Sequence, residues 1–180
     1  MKFPMPLPEW KKPGPWVAAA ALTGVFALDA ADLGRAPDDA YLDNLQGSWV
    51  MEGTLGGKPV RYVADGERVL SGGFLKLHML DVQSPPQYEA QLFIGYDPKA
   101  NDFIAHWLDR FGAAGARVVA SGRRQGQRLV LDFPYAEGAF RDTLLWQPAS
   151  ASWSLLLESR RPDGSWFEFA NYTLRRRVQR

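Results

Sequence analysis

The sequence has no cysteine and very little histidine. Its 180 residues include two histidines, His78 and His106. Without cysteine the chain cannot form a disulfide, a thiolate nucleophile, or a zinc or iron–sulfur site with cysteine ligands. Neither histidine belongs to a spaced ligand motif such as H-E-x-x-H. We therefore expect no metal site.

An excess of charge of one sign is also missing. Lys and Arg together number 21 and Asp and Glu number 20, so the net charge is +1. Such a chain has no overall field that would attract nucleic acid or an anionic membrane. The arginine clusters in "GRRQGQR" and "RRRVQR" are local. Nucleic acid is therefore not an expected partner.

The apolar run near the N-terminus is short. It extends from Trp16 to Leu28, thirteen residues without a charge, which is too few to span a bilayer as a helix. Lys11 and Lys12 precede it, and Val25-Phe26-Ala27 offers the small residues that a signal peptidase reads. This pattern predicts a signal peptide over residues 1–27, no transmembrane segment, and a periplasmic or secreted protein. The alternative is an uncleaved flexible leader on a cytoplasmic protein.

Alternation of apolar and polar residues dominates the rest of the chain. Alternation with a period of two predicts β-strands. The predicted strands are 46–55, 58–70, 73–82, 87–96, 101–109, 116–123, 127–134, 139–147, 151–159 and 165–177. Most separators have the length of hairpin loops and leave no room for crossover helices. The sequence therefore predicts an all-β fold, a closed antiparallel up-and-down β-barrel of about ten strands.

A short helix is predicted before the barrel. The stretch "APDDAYLDNLQG", residues 36–47, has Pro37 in its first turn, acidic residues at its N-terminal end and Gly47 as its stop. The predicted organisation is a signal peptide or flexible leader, a short linker and helix, the barrel domain and a basic tail, at residues 1–27, 28–45, 46–177 and 178–180.

Four stretches together resemble a known family. They are "LQGSW", which places Gly47 and Trp49 on the first strand, "ERVLSGGFLKLHML", "GYDPKANDFIAHWLD" and "PDGSWFEFANYTLRR". Over roughly residues 40–177 the chain resembles the bacterial domain-of-unknown-function family 1579 of the calycin superfamily, which includes lipocalins and fatty-acid-binding proteins. The resemblance implies a closed antiparallel barrel with a central cavity. It implies no settled reaction and no agreed catalytic residues.

The resemblance also implies a structural pair and bears on cofactors. In calycins the tryptophan of the Gly-x-Trp motif packs across one barrel end, often against an arginine of the last strand. Here the pair would be Trp49 with Arg175 or Arg176, and a guanidinium over an indole gains about 0.5–2 kcal/mol. The alternative is that these arginines form a solvated tail. Related barrels that bind haem use a histidine late in the chain, whereas none follows residue 106. We therefore expect no cofactor.

The stretch "GYDPKANDFIAHWLDRFG" mixes acidic, aromatic and histidine side chains, as an active site would. It is also typical of two strands joined by a turn. Asp97 can accept hydrogen bonds from the backbone two residues on, and Pro98 presets the turn. Trp107 shares one strand face with Phe103 and Ala105, which favours packing over catalysis.

Eight residues are candidates for ligand binding: Trp49, Tyr96, His106, Trp107, Trp146, Glu158, Glu168 and Tyr172. Gly47, Asp97, Pro98 and Arg175 are assigned structural roles, and no residue is assigned a catalytic role. A carboxylate inside an apolar barrel is costly unless it is paired. Glu158 and Glu168 could therefore anchor a cationic or hydroxyl-bearing ligand, or they could be surface residues paired with arginine.

These observations favour a non-enzymatic barrel that binds a small apolar or amphipathic molecule. One alternative is an enzyme on the same barrel, such as an isomerase or cyclase, which uses Tyr, His or Glu as acid–base groups. A second alternative is a structural module with a filled core. A cavity larger than roughly 300 Å³ would favour the first two hypotheses over the third.

Overall fold

The computed structural model describes residues 40–178. The predicted leader, residues 1–27, lies outside this range, as do residues 28–39 of the predicted linker and the last two residues of the predicted tail. Of the helices within the described range, none is long and apolar enough to cross a membrane.

Ten antiparallel strands form one closed barrel. They are β1 (Gly47–Leu55), β2 (Lys58–Val69), β3 (Phe74–Asp81), β4 (Glu89–Asp97), β5 (Asp102–Asp109), β6 (Val119–Gln125), β7 (Arg128–Phe133), β8 (Phe140–Gln147), β9 (Ser152–Arg160) and β10 (Trp166–Arg176). Each strand pairs with its neighbours in sequence, and β1 closes the barrel by pairing with β10. The predicted all-β fold and its up-and-down closure are confirmed.

The helix before the barrel ends earlier than predicted. Within the described residues α1 (Ala40–Asp43) has four residues, and the prediction that it continues to Gly47 is wrong. Gly47 is the first residue of β1, with a φ of +98°. A Cβ at this position would lie 2.6 Å from Nη1 of Arg176, so both the backbone angle and the available space favour glycine.

The start of β6 also differs from the prediction. The sequence predicts a strand over 116–123, whereas β6 begins at Val119 and ends at Gln125. A 3₁₀ turn, Gly115–Arg117, occupies the predicted first residues. A second 3₁₀ turn, Pro148–Ser150, joins β8 to β9.

Strand alternation separates an inner face from an outer face. In β3 the side chains of Leu75, Leu77 and Met79 are buried in the barrel, whereas those of Lys76 and His78 are partly exposed on the outside. The other strands repeat this arrangement, so inward apolar side chains form one continuous core. Alternation along a strand therefore decides which residues point into the barrel.

The helical segment closes one end of the barrel. Tyr41, Leu42 and Leu45 are buried there together with Trp49 and Trp153. The rings of Tyr41 and Trp153 meet edge to face with centroids 5.0 Å apart, and Nε1 of Trp49 donates to the carbonyl oxygen of Leu45 at 2.8 Å. We call this the closed end. We call the opposite end of the barrel the open end.

Candidate ligand-binding cavity

A cavity of about 920 Å³ occupies the barrel end opposite α1. Its walls are the inward side chains at the ends of the strands, and its rim is formed by the turn at 56–57 and by the loops 82–88, 110–118 and 134–139. Met51, Met79 and Leu157 contribute apolar lining deep in the barrel, and each is almost fully buried. Buried side chains fill the barrel next to the closed end, and the cavity therefore lies at the open end.

Aromatic rings line the cavity in two groups. In the first group, Tyr88 contacts Tyr62 and Phe111 with ring centroids 6.0 Å apart in each pair, and Tyr62 contacts Tyr172 at 5.9 Å. These edge and tilted contacts are favourable ring arrangements. The group joins β2, β10 and the loops 82–88 and 110–118 around one side of the opening.

The second aromatic group is centred on Phe140. Tyr135 meets it edge to face at 6.0 Å and stacks on Phe133 at the same centroid distance, while Phe169 meets Phe140 at 5.1 Å. All four rings line the cavity. Both groups thus provide flat apolar surfaces with hydroxyl groups at a few positions.

The tyrosine hydroxyls of the first group remain neutral well above physiological pH. Burial raises the pKa of Tyr88 and Tyr172 above its usual value, and it also raises that of Tyr62. Nε1 of Trp107 donates to the Tyr88 hydroxyl oxygen at 3.2 Å. These tyrosines are therefore hydrogen-bonding groups, and they are not anionic bases at neutral pH.

Two carboxylates of the cavity hold the loops of its rim. Asp81 accepts hydrogen bonds from the backbone amides of Gln83 at 3.2 Å and Gln87 at 3.0 Å. Asp109 accepts one from the amide of Phe111 at 3.0 Å. Such side-chain-to-backbone bonds fix local loop conformation. Both carboxylates thus have a structural role at the mouth of the cavity.

Asp142 differs from the other cavity carboxylates. It is 3% exposed and points into the cavity from β8, where its register neighbours on β7 and β9 are Leu131 and Leu157. Among the described residues its carboxyl has no hydrogen-bond or ion-pair partner, although its backbone pairs with β7 and β9. Burial raises the pKa of its carboxyl to about 8. A buried carboxyl without a partner in the protein is costly and needs an explanation.

The structure brings two of the eight sequence-predicted candidates into this cavity, Trp107 and Tyr172. Both are inward residues at the open end, on β5 and β10. Trp107 is half-buried and packs at the edge of the core. Because β5 and β10 are on opposite sides of the barrel, the indole of Trp107 and the hydroxyl of Tyr172 belong to opposite walls of the cavity.

Three other candidates lie toward the closed end and do not line the cavity. Trp49 is completely buried under the guanidinium of Arg176, which is 3.9 Å from the ring centroid. Trp146 packs on Trp153 at 5.2 Å. The hydroxyl of Tyr96 donates to Oδ1 of Asn101 at 2.6 Å.

The remaining three candidates lie on the outer surface. Nε2 of His106 is 2.7 Å from the carbonyl oxygen of Ala116, on the outside of β5. Glu158 is on the outer face of β9, opposite Glu168 of β10. Glu168 is exposed and accepts a hydrogen bond from Nδ2 of Asn171 at 3.2 Å. None of the three faces the cavity.

The residues assigned structural roles are found at turns and at the closed end. Oδ1 of Asp97 accepts from the amides of Lys99 at 2.8 Å and Ala100 at 3.4 Å, in the turn that contains Pro98. Of the two arginines considered as partners of Trp49, Arg176 packs on its ring, whereas Arg175 points outward.

Sequence reasoning missed Asp142 although a signal was present. In "FRDTLLW" the residues Phe140, Asp142, Leu144 and Trp146 share one face, and three of them are apolar. A single carboxyl in such an apolar row predicts a buried acid. The adjacent Arg141 makes the stretch resemble a surface strand, so the apolar row around Asp142 is easily overlooked.

Within residues 40–178 no group of three or more His, Asp or Glu side chains is placed to hold a metal ion.

Comparisons with known proteins support the fold. The chain is similar to the crystal structure of Rv2717c from M. tuberculosis, with a TM-score of 0.53 and 16% sequence identity over 80% of this chain and 99% of that chain. At this identity the likeness shows the fold alone. No family model and no curated protein matches the chain. Fold and cavity therefore define the class, a closed ten-stranded antiparallel barrel with an open-ended cavity.

Proposed function

We propose that the protein binds a small apolar or amphipathic molecule in the open-end cavity and does not convert it chemically. The observation that carries this proposal is the volume of about 920 Å³. Ligand pockets usually measure about 300–1,000 Å³ and combine apolar walls with a few polar groups. A structural module with a filled core would have no such space.

The lining also supports an apolar or amphipathic ligand. Aromatic and aliphatic side chains form most of the walls, and polar groups occur at separate points such as Tyr172 and Asp142. At the rim Phe111 is 77% exposed, and Val82 and Phe169 are also exposed. Exposed apolar side chains beside an open cavity are typical of a ligand entrance.

An enzyme on the same barrel is the second candidate, and Asp142 favours it. Its carboxyl, with a pKa raised to about 8 by burial, is suited to exchange protons near neutral pH. An isomerase could use it with a neighbouring tyrosine hydroxyl. Binding remains the leading proposal because His78 and His106 lie outside the cavity and Asp81 and Asp109 hold loops.

We also propose calycin membership and export. The pairing of Trp49 with Arg176 across the closed end supports the first, because it is the contact that the family resemblance implies. The apolar run before residue 28, preceded by lysines, supports the second. Both proposals are separate from ligand binding.

Titration with the neutral apolar dye N-phenylnaphthylamine tests the binding proposal. Ser159 lines the cavity, whereas its neighbour Glu158 lies on the outer face of the same strand. Ser159→Trp should fill part of the cavity and weaken dye binding about 10-fold or more, and Glu158→Trp should leave it unchanged. No dye binding by the parent protein, or equal effects of the two variants, would contradict the proposal.

A further inference from the structure

We propose that the ligand is an amphipathic organic amine whose protonated nitrogen pairs with Asp142, while its apolar body contacts the aromatic walls. This inference rests on the proposed binding function and names the ligand's chemical class.

The first observation is that the carboxyl of Asp142 has no partner among residues 40–178. Asp81 and Asp109 line the same cavity, and their carboxylates accept hydrogen bonds from backbone amides of the rim loops. Asp142 lies deeper, with Leu131 and Leu157 as strand neighbours. A buried carboxyl that is left without a donor is best explained by a donor that arrives with the ligand.

The charges around the cavity are the second observation. Four acidic residues line it, Asp81, Asp109, Glu137 and Asp142, and Arg61 is the one basic residue in the lining formed by residues 40–178. The Arg61 guanidinium is itself 3.3 Å from Glu52. An anionic ligand would therefore meet a negative surface, whereas a cation would be attracted to it.

The aromatic walls are the third observation. Tyr62, Tyr88, Tyr135 and Tyr172 surround the cavity together with Trp107. The negative faces of such rings attract ammonium groups, and they do so more strongly away from water. The same rings contact an apolar body, so one lining suits both halves of an amphipathic amine.

Binding of an amine should release a proton. The raised pKa of Asp142, about 8, keeps its carboxyl mainly protonated at pH 7. An ammonium group brought against it favours the carboxylate, so the O–H bond of Asp142 breaks and the proton passes to solvent. Asp142 acts electrostatically on two tyrosines of the cavity, Tyr135 and Tyr172. The other titratable and charged groups that line the cavity are Tyr62, Tyr88, Asp81, Asp109, Glu137 and Arg61.

Displacement of N-phenylnaphthylamine by decylamine, decanol and decanoate at pH 7 tests the inference. The three probes share one chain and differ in the charge of the head group. Decylamine should bind about 10-fold or more tightly than the other two. In Asp142→Asn this preference for decylamine over decanol and decanoate should disappear. Glu158→Gln, which removes a carboxylate from the outer face, should behave as the parent.

Calorimetry in phosphate and in Tris provides an independent measurement. The two buffers differ in protonation enthalpy, so the difference in observed heat counts released protons. We expect nearly one proton released per decylamine in the parent protein, none per decanol, and none with Asp142→Asn.

The outcomes separate this inference from the proposed function. Equal or tighter binding of decanol or decanoate would overturn the amine assignment and leave a binding barrel. A preference for decylamine that persists in Asp142→Asn would overturn the role of Asp142. If the parent protein does not bind the dye or any of the three probes, both proposals are wrong.

Discussion

The guanidinium carbon of Arg176 lies 3.9 Å from the centre of the Trp49 ring at the closed end of the barrel. The same guanidinium donates to the carbonyl oxygens of Asn44, at 3.1 Å, and Gln46. One side chain thus joins the end of β10 to the segment that follows α1. It seals the end of the barrel that does not hold the cavity.

Arg176→Ala should therefore destabilise the protein. The variant loses a cation–π contact and hydrogen bonds to two carbonyl oxygens, which we expect to cost about 1–3 kcal/mol of unfolding free energy. Arg175→Ala is the matched control, because Arg175 is exposed on the outer face. It should change stability by about 0.5 kcal/mol or less. Equal effects in urea denaturation would show that the contact with Trp49 contributes nothing.

Asp142→Asn should alter the pH dependence of stability. Burial raises the carboxyl pKa from 3.8 to about 8, so the folded protein holds a proton that the unfolded chain releases above about pH 4. The free energy of unfolding of the parent should therefore fall as pH rises from about 4 to about 8. Above about pH 8 Asp142 should cause no further loss. The loss should be on the order of several kcal/mol.

The asparagine variant keeps the shape of the protonated acid and should lack this loss. The difference in unfolding free energy between the two proteins, measured at pH 5 and at pH 8.5, isolates the contribution of Asp142. If the two proteins respond identically to pH, the carboxyl is not buried as described.

Trp107→Ala should affect ligand binding more than it affects folding. Trp107 is half-buried at the cavity wall and bonds to Tyr88, so truncation should cost about 1–3 kcal/mol of stability. Dye affinity should fall about 10-fold, since a large aromatic surface is lost. Asp97→Ala, in the turn at the other end of the same hairpin, should cost about 1 kcal/mol and leave the dye affinity unchanged. Melting curves and dye titrations of both variants check this, and an unchanged dye affinity in Trp107→Ala would remove Trp107 from the site.

The barrel was predictable because its signals are local. Alternation and hairpin-length separators specify ten strands, and β3 shows this with Leu75, Leu77 and Met79 on one face. The end of α1 at Asp43 was not predictable in the same way. Gly47 satisfies the pattern of a helix stop, but it serves as the tight start of β1 beside Arg176.

The site was predicted only in part because its residues meet across the barrel. Trp107 and Tyr172 were identified, whereas Asp142 was missed. Strict alternation would put Glu168 on one face with Tyr172. A β-bulge between Glu168 and Ala170 inserts an extra residue and reverses this parity, which puts Glu168 outside. A bulge depends on pairing with the neighbouring strand, so alternation within β10 alone does not reveal it.

Native mass spectrometry of freshly purified protein tests the central claim of a ligand-binding cavity most directly, when the parent is compared with Ser159→Trp and Glu158→Trp. We expect the parent and Glu158→Trp to bind one small molecule each, either retained from the cell or added as N-phenylnaphthylamine, and to release it on mild activation. Ser159→Trp, with its cavity partly filled, should show little or none. A parent protein that carries no small molecule under either condition would contradict the account, as would equal occupancy in all three proteins.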